Sequence, residues 1–218
     1  MLAASYTWIR AGGVALILGG IAVVLSSRIT TPANFRLLND LVQNALVLAA
    51  VLLAFLPTKQ ALLRAVALGV FVMVFDFVLE TVAVRLGWWR PLGGTQFPPV
   101  LVVPLEMLIG FLIMGTSFGV VLCFPVRIRN ARSQALNWAR PWFENPRRDR
   151  AWQLLLILLV AAAGTHGDYA AGPEIWLPGA HWRPAYTFCV WAGTGLAVLW
   201  AYRRLQRTAE TGRGTGLA

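Results

Sequence analysis

Apolar runs close to bilayer length recur about six times along this chain, and no other feature restricts its fold as strongly. A helix needs about 20 largely apolar residues to cross a hydrocarbon core of roughly 30 Å. In that medium only a helix or a closed barrel pairs every backbone N–H and C=O. The runs lie near residues 8–26, 38–56, 61–86, 98–124, 151–167 and 184–202. They predict an all-α integral membrane protein, a bundle of about six transmembrane helices forming one domain over residues 1–206. Composition agrees, since 58% of the 218 residues are hydrophobic and 13% are charged. A soluble domain carries about twice that share of charge. The first run reads as a retained span: its apolar core, residues 12–25, is long and no clear A-x-A cleavage site follows it.

The formal charge of +10 comes almost wholly from arginine, with Lys59 the only lysine. Such basicity can signal nucleic acid, but here the arginines crowd the ends of the apolar runs, where they set topology and meet anionic head groups. Nucleic acid is therefore excluded as a partner, and membrane lipid expected. With six spans both termini share a side, and that side gathers 14 basic residues against 5 opposite. By the positive-inside rule both termini are expected in the cytoplasm, in a multi-pass protein of the bacterial cytoplasmic membrane. Residues 126–150 mix seven arginines with Trp138, Trp142 and Phe143, the pattern of a basic amphipathic segment on the cytoplasmic interface. Residues 207–218 are Gly/Thr-rich and read as a disordered tail. Cys123 and Cys189 sit singly inside apolar runs, so no disulfide framework or zinc knuckle is expected.

Carboxylates inside such runs are costly, about 2.5–3.5 kcal/mol each on the lenient insertion scale, and mark function by default. Asp76 and Glu80 stand at i and i+4 of the third run and so share a helix face. At 1.5 Å per residue Glu80 falls about 9 Å and Asp76 about 15 Å below the outer end, and Glu106 about 12 Å down the fourth run. Packing of those two spans, the default for a short connection, would put all three acids in one layer. Asp40 and Asn44 share a face of the second run, while His166, Asp168 and His181 stand near the outer ends of the fifth and sixth. The polar residues thus collect in the outer half. Like charges in low dielectric repel, so such a cluster is not fully ionised. A carboxyl that keeps its proton beside a carboxylate is equipped for acid–base work. The competing structural reading pairs the acids with Arg85, Arg28 or Arg36 to lock helices, and it weighs most for Glu80.

Trp88, Trp89 and Phe97 lie in the connection just above these acids. Their first reading is interfacial anchoring, and their second is stabilisation of a cation by aromatic faces.

From Glu80 to Phe111 the chain resembles the membrane-embedded carotenoid cyclases of the heterodimeric or fused lycopene cyclase type, which pair an acid–x7–8–Trp element with a Pro-Leu-Glu-Glu motif. Here Glu80 is followed by Gly87 and Trp89, and then by Val103-Pro104-Leu105-Glu106-Met107. About 35 residues carry the resemblance. Two positions depart from it: Glu80 stands where an Asp is usual, and Met107 replaces the second acid. The related carotenoid hydratases also carry a membrane Glu followed by Gly at this spacing. A fainter echo follows in the second half, where Asp168, Trp176 and Pro184 mirror Glu80, Trp89 and Pro104, with Tyr186 at the place of Glu106.

The resemblance implies catalytic Glu80 and Glu106 with Asp76 beside them. It also implies a lipid-soluble polyene or isoprenoid substrate entering from the bilayer, for which the loop aromatics Trp88, Trp89 and Phe97 and the outer-half polar residues Asp40, Asn44 and Asp168 are the expected binding site. Protonation of a terminal double bond, ring closure through a tertiary carbocation and loss of a proton need no cofactor and no metal. Water capture of the same cation would give hydration. The relatives' use of two small subunits makes a homo- or hetero-oligomer an expectation by analogy. The alternatives from other classes are a proton-coupled transporter and a non-catalytic subunit of a membrane complex, since buried carboxylates also serve proton relays.

Overall fold

In the computed structural model, the residues described are 12, 13, 15, 17–20, 36–91, 103–123, 144–170 and 176–214. Among the described residues, five long helices carry the fold: α1 (Arg36–Phe55), α2 (Lys59–Arg85), α3 (Leu105–Leu122), α4 (Pro146–Ala170) and α5 (Pro184–Gly214). Two three-residue strands, β1 (Trp89–Pro91) and β2 (Trp176–Pro178), follow α2 and α4. Residues 12–20, where described, are helical, and Gly13 and Gly20 lie against Leu53 and Leu46 of α1.

Among the described residues, four helical stretches are long and apolar enough to cross a membrane: Leu37–Phe55, Lys59–Arg85, Leu105–Leu122 and Pro184–Arg207. Their side chains are arranged inside out relative to a water-soluble bundle. On α2, Val66, Val70, Val74, Val78 and Val82 form an outward stripe, each 41–56% exposed. The buried face of the same helix carries Ala65, Leu68, Gly69, Val72, Asp76, Glu80 and Ala83. Apolar residues outside and acids inside is stable when the surroundings are hydrocarbon. This is a membrane protein.

Thr58 opens α2, its side chain accepting the Ala61 N–H. Gly87, at φ +70°, ends the same helix, and the N–H groups of Gly87 and Trp88 return to the carbonyls of Val84 and Ala83. That left-handed turn favours glycine and swings Trp88 and Trp89 back over the helix end. Pro104 opens α3 at φ −58°, where its missing N–H is no loss.

The α2–α3 pair is the tightest contact, as the short connection leads one to expect. Small residues let the backbones approach. A Cβ at Gly115 would stand 2.8 Å from Val72 Cβ, and one at Gly119 would stand 2.8 Å from Ala65 Cα. Helix α1 packs on α3, α5 packs on α2, and α4 packs on α5. A core of Leu68, Val72, Leu122, Ile157, Val198 and Tyr202 joins the two halves.

Three boundaries differ from the sequence reading. Helix α3 begins at Leu105, so Glu106 lies in its first turn, where a carboxylate suits the helix dipole, rather than about 12 Å along a span starting near Phe97. Helix α4 begins at Pro146, taking the last residues of the basic 126–150 segment into its first turns; residues 126–143 of that segment lie outside the described residues. Helix α5 continues to Gly214, through most of the stretch read as a disordered tail from residue 207. Arg203, Arg204, Gln206 and Arg207 are all good helix formers and carry the helix past its apolar part.

Candidate functional site

Strands β1 and β2 pair antiparallel in the register Trp89↔Pro178, Arg90↔Leu177, Pro91↔Trp176. The Gly179 N–H extends the pairing to the Trp88 carbonyl at 2.7 Å. No side chain fits at Gly179, because a Cβ there would collide with the Gly87 carbonyl oxygen. The pairing draws the ends of α2 and α4 together and closes one end of the bundle above the acids.

Beneath it lies a cavity of about 70 Å³ whose walls include Asp76, Glu80, Trp89, Phe111, Asp168, Trp182, Trp191 and Thr194. Asp76 and Glu80 are 5% and 6% exposed. Each acid is held differently. Glu80 Oε2 accepts the Trp89 Nε1–H at 2.5 Å. Asp168 Oδ2 accepts the Trp191 Nε1–H at 2.8 Å. Asp76 Oδ2 is buried with no hydrogen-bond partner among the described residues. Neutral indole donors hold these oxygens in place without bringing a positive charge to the cavity. No lysine or arginine lines the cavity among the described residues. Arg85 is exposed and borders neither this cavity nor its neighbour. Arg28 lies outside the described residues, and so does the side chain of Arg36.

A second, larger cavity of about 380 Å³ occupies the crevice between α1 and α3 on one side and α4 and α5 on the other. Asp40 and Asn44 of α1 line it with Glu106, Met107 and Gly110 of α3. Phe111, Asp168, Trp191 and Thr194 border both cavities and form the partition between them. The larger volume falls within the roughly 300–1,000 Å³ usual for ligand sites.

The acids are therefore divided. Asp76 and Glu80 share the small cavity with Asp168, whereas Glu106 faces the larger one beside Asp40 and Asn44. Trp88 stacks on Trp182 with ring centroids 5.1 Å apart, at the edge of the aromatic roof. Phe97 lies outside the described residues. His166 and His181 are both exposed and line neither cavity.

Sequence reasoning passed over Trp182, Trp191 and Phe111. Trp191 carried a usable signal: an indole N–H in the middle of an apolar span requires an acceptor, and Asp168, at the end of the preceding apolar run, was one of the few acids within reach. Trp182 gave no such signal, because tryptophan just before a span reads as an interfacial anchor.

The faint echo between the halves has a geometric counterpart. Trp89-Arg90-Pro91 and Trp176-Leu177-Pro178 pair so that each Trp faces the other strand's Pro, as about a two-fold axis through Arg90 and Leu177. Pro104 immediately precedes α3 and Pro184 opens α5. Seven positions beyond those prolines, Phe111 and Trp191 meet with ring centroids 6.1 Å apart. Eleven positions beyond them, Gly115 and Gly195 are the points where α3 and α5 approach Val72 of α2 and Ile157 of α4. Glu80 and Asp168 then occupy matching places at the ends of α2 and α4. The match breaks four residues earlier, where Asp76 corresponds to Gly164. A Cβ at Gly164 would overlap the Trp191 ring.

No family model, curated protein or solved structure matches this chain.

Proposed function

We propose that the protein is a non-redox isoprenoid or carotenoid cyclase of the bacterial cytoplasmic membrane, spanning it about six times with both termini in the cytoplasm. One observation carries the reading. Three carboxylates meet in an aromatic-rich cavity, lined by no lysine or arginine among the described residues, that adjoins a ligand-sized crevice between the helices. A polyene lying in the crevice would direct its end past the Phe111–Trp191 partition towards Asp76 and Glu80. A protonated carboxyl of that pair adds its proton to the terminal double bond, leaving a tertiary carbocation. The neighbouring double bond attacks the cation and closes the ring. A carboxylate, for which Glu106 on the crevice wall is the candidate, takes up the proton lost from the ring. The product is an isomer of the substrate, so no electron donor or acceptor is required.

Hydration is the second reading, favoured by Asp40 and Asn44 beside Glu106. These groups give one wall of the crevice the polar partners that an ordered water needs. Water reaching the cation before ring closure would yield a tertiary alcohol.

The test is expression in a lycopene-producing bacterial host with chromatography of the pigments. Wild-type protein is expected to convert lycopene to a cyclic or hydrated product. Glu106→Gln should insert normally and leave lycopene unchanged. Lycopene untouched by the wild-type protein would overturn the carotenoid reading.

A further inference from the structure

The small cavity combines two features that ordinarily occur apart: three acids, two of them buried, and a lining rich in aromatic rings. Asp76 is at least nine-tenths buried, and its Oδ2 has no hydrogen-bond partner among the described residues. A buried carboxyl oxygen left unpaired costs about 1–3 kcal/mol or more, a cost that a ligand supplying a donor or a positive charge would remove. Among the described residues no positive partner is provided, since no lysine or arginine lines the cavity. Nor, among the described residues, do the acids form a group of three or more with His or Cys that could hold a metal ion. The roof is built from rings, with Trp89 and Trp182 meeting edge to face at 4.7 Å. Trp191 and Phe111 close the side towards the crevice. Aromatic faces attract diffuse organic cations such as quaternary ammonium groups. At about 10–15 Å³ per water, 70 Å³ admits roughly five to seven heavy atoms, the size of a quaternary centre with its substituents.

We infer that this cage of Asp76, Asp168, Trp89, Trp182, Trp191 and Phe111 is a binding site for a compact, singly charged organic cation carried on an apolar chain. The inference rests on the cyclase reading for its meaning, because a tertiary carbocation on a polyene is such a group. It identifies what the site is built to hold: the charged intermediate rather than the neutral substrate. It also draws half of the cage, Asp168 with Trp182 and Trp191, from the second half of the chain, outside the segment that carries the cyclase resemblance.

The probe is hexyltrimethylammonium, compared with 2,2-dimethyloctane, its uncharged isostere. Protein in lipid nanodiscs is titrated with each, and tryptophan emission is followed against empty nanodiscs. Saturable binding of the ammonium at least about tenfold tighter than the hydrocarbon is expected. Asp76→Asn and Trp182→Leu should each weaken it about tenfold, while Trp182→Phe, which keeps a ring, should largely preserve it. Size-exclusion profiles identify variants that fold. Equal affinity for the two probes overturns the inference, and so does ammonium binding that survives both Asp76→Asn and Trp182→Leu. Ammonium binding in a protein that leaves lycopene unchanged keeps the cation site and removes the carotenoid reading. Lycopene conversion without ammonium binding does the reverse.

Discussion

The indole N–H of Trp89 donates to Glu80 Oε2 at 2.5 Å, although the two residues lie on opposite sides of the turn that ends α2. The turn at Gly87 makes the bond possible by reversing the chain within one residue of positive φ. A residue that would otherwise anchor in the head-group layer is thereby aimed down at an acid.

Trp89→Phe keeps the ring and deletes the donor. A hydrogen bond to a charged or strongly polar buried group contributes about 1.5–3 kcal/mol, so stability should fall by about that amount. Unfolding by denaturant in mixed micelles provides the measurement. Under the proposed chemistry product formation should fall further than stability does, because Glu80 loses its orientation. Activity and stability both unchanged would mean that the indole only fills space.

Asp76 calls for the opposite experiment. An acid whose Oδ2 has no hydrogen-bond partner among the described residues lowers stability where it stands, and an apolar residue of similar size removes that cost. Asp76→Leu should therefore raise the unfolding free energy by about 1–3 kcal/mol while abolishing turnover and cation binding. That combination is the mark of a residue kept for function at the expense of stability. A destabilised Asp76→Leu protein would show instead that the acid serves packing.

Much of this arrangement was legible in the sequence, and the parts that were not share a physical reason. Apolar runs found the helices because backbone satisfaction in hydrocarbon leaves few alternatives. The i, i+4 spacing put Asp76 and Glu80 on one face, and the short connection paired α2 with α3. Glu106 was legible as a membrane acid but not as a neighbour of Asp40 and Asn44. Its position depends on where Pro104 starts the helix, and runs of apolar residues do not mark such a start. Asp168 and Trp191 lie 23 residues apart across the α4–α5 connection, and their meeting depends on how α4 packs on α5, which apolar runs do not specify. The helical course of residues 207–214 was hidden by composition, since glycine and threonine there read as a tail.

The close approach of α2 and α3 gives a prediction about folding alone. Gly115 and Gly119 face Val72 and Ala65 at distances that leave no room for a side chain. Gly119→Leu must push the helices apart and open voids along the seam, at a cost of about 3 kcal/mol or more. Loss of the monodisperse size-exclusion peak is expected, whereas Gly193→Ala, at a position with open space around it, should leave the peak intact.

The pairing of the two strands can be tested without reference to activity. Arg90 and Leu177 stand directly opposite in the antiparallel register, where Cα atoms are about 4.5–5.5 Å apart, within the roughly 4.4–6.8 Å that a disulfide spans. Cys123 and Cys189 are both free and are first replaced by serine. The pair Arg90→Cys with Leu177→Cys should then close under mild oxidation. A protease site engineered between residues 126 and 143 would separate the halves of the chain, which should stay joined on a non-reducing gel. The pair Arg90→Cys with Trp176→Cys is one step out of register, and its side chains point to opposite faces, so it should not close. Equal cross-linking of both pairs would remove the register, and with it the match of Trp89-Arg90-Pro91 to Trp176-Leu177-Pro178 about a common axis. Cross-linking of the first pair alone would mean that Glu80 and Asp168 are brought to one cavity by a junction between the two halves of the chain, rather than by the α2–α3 hairpin that carries the resemblance.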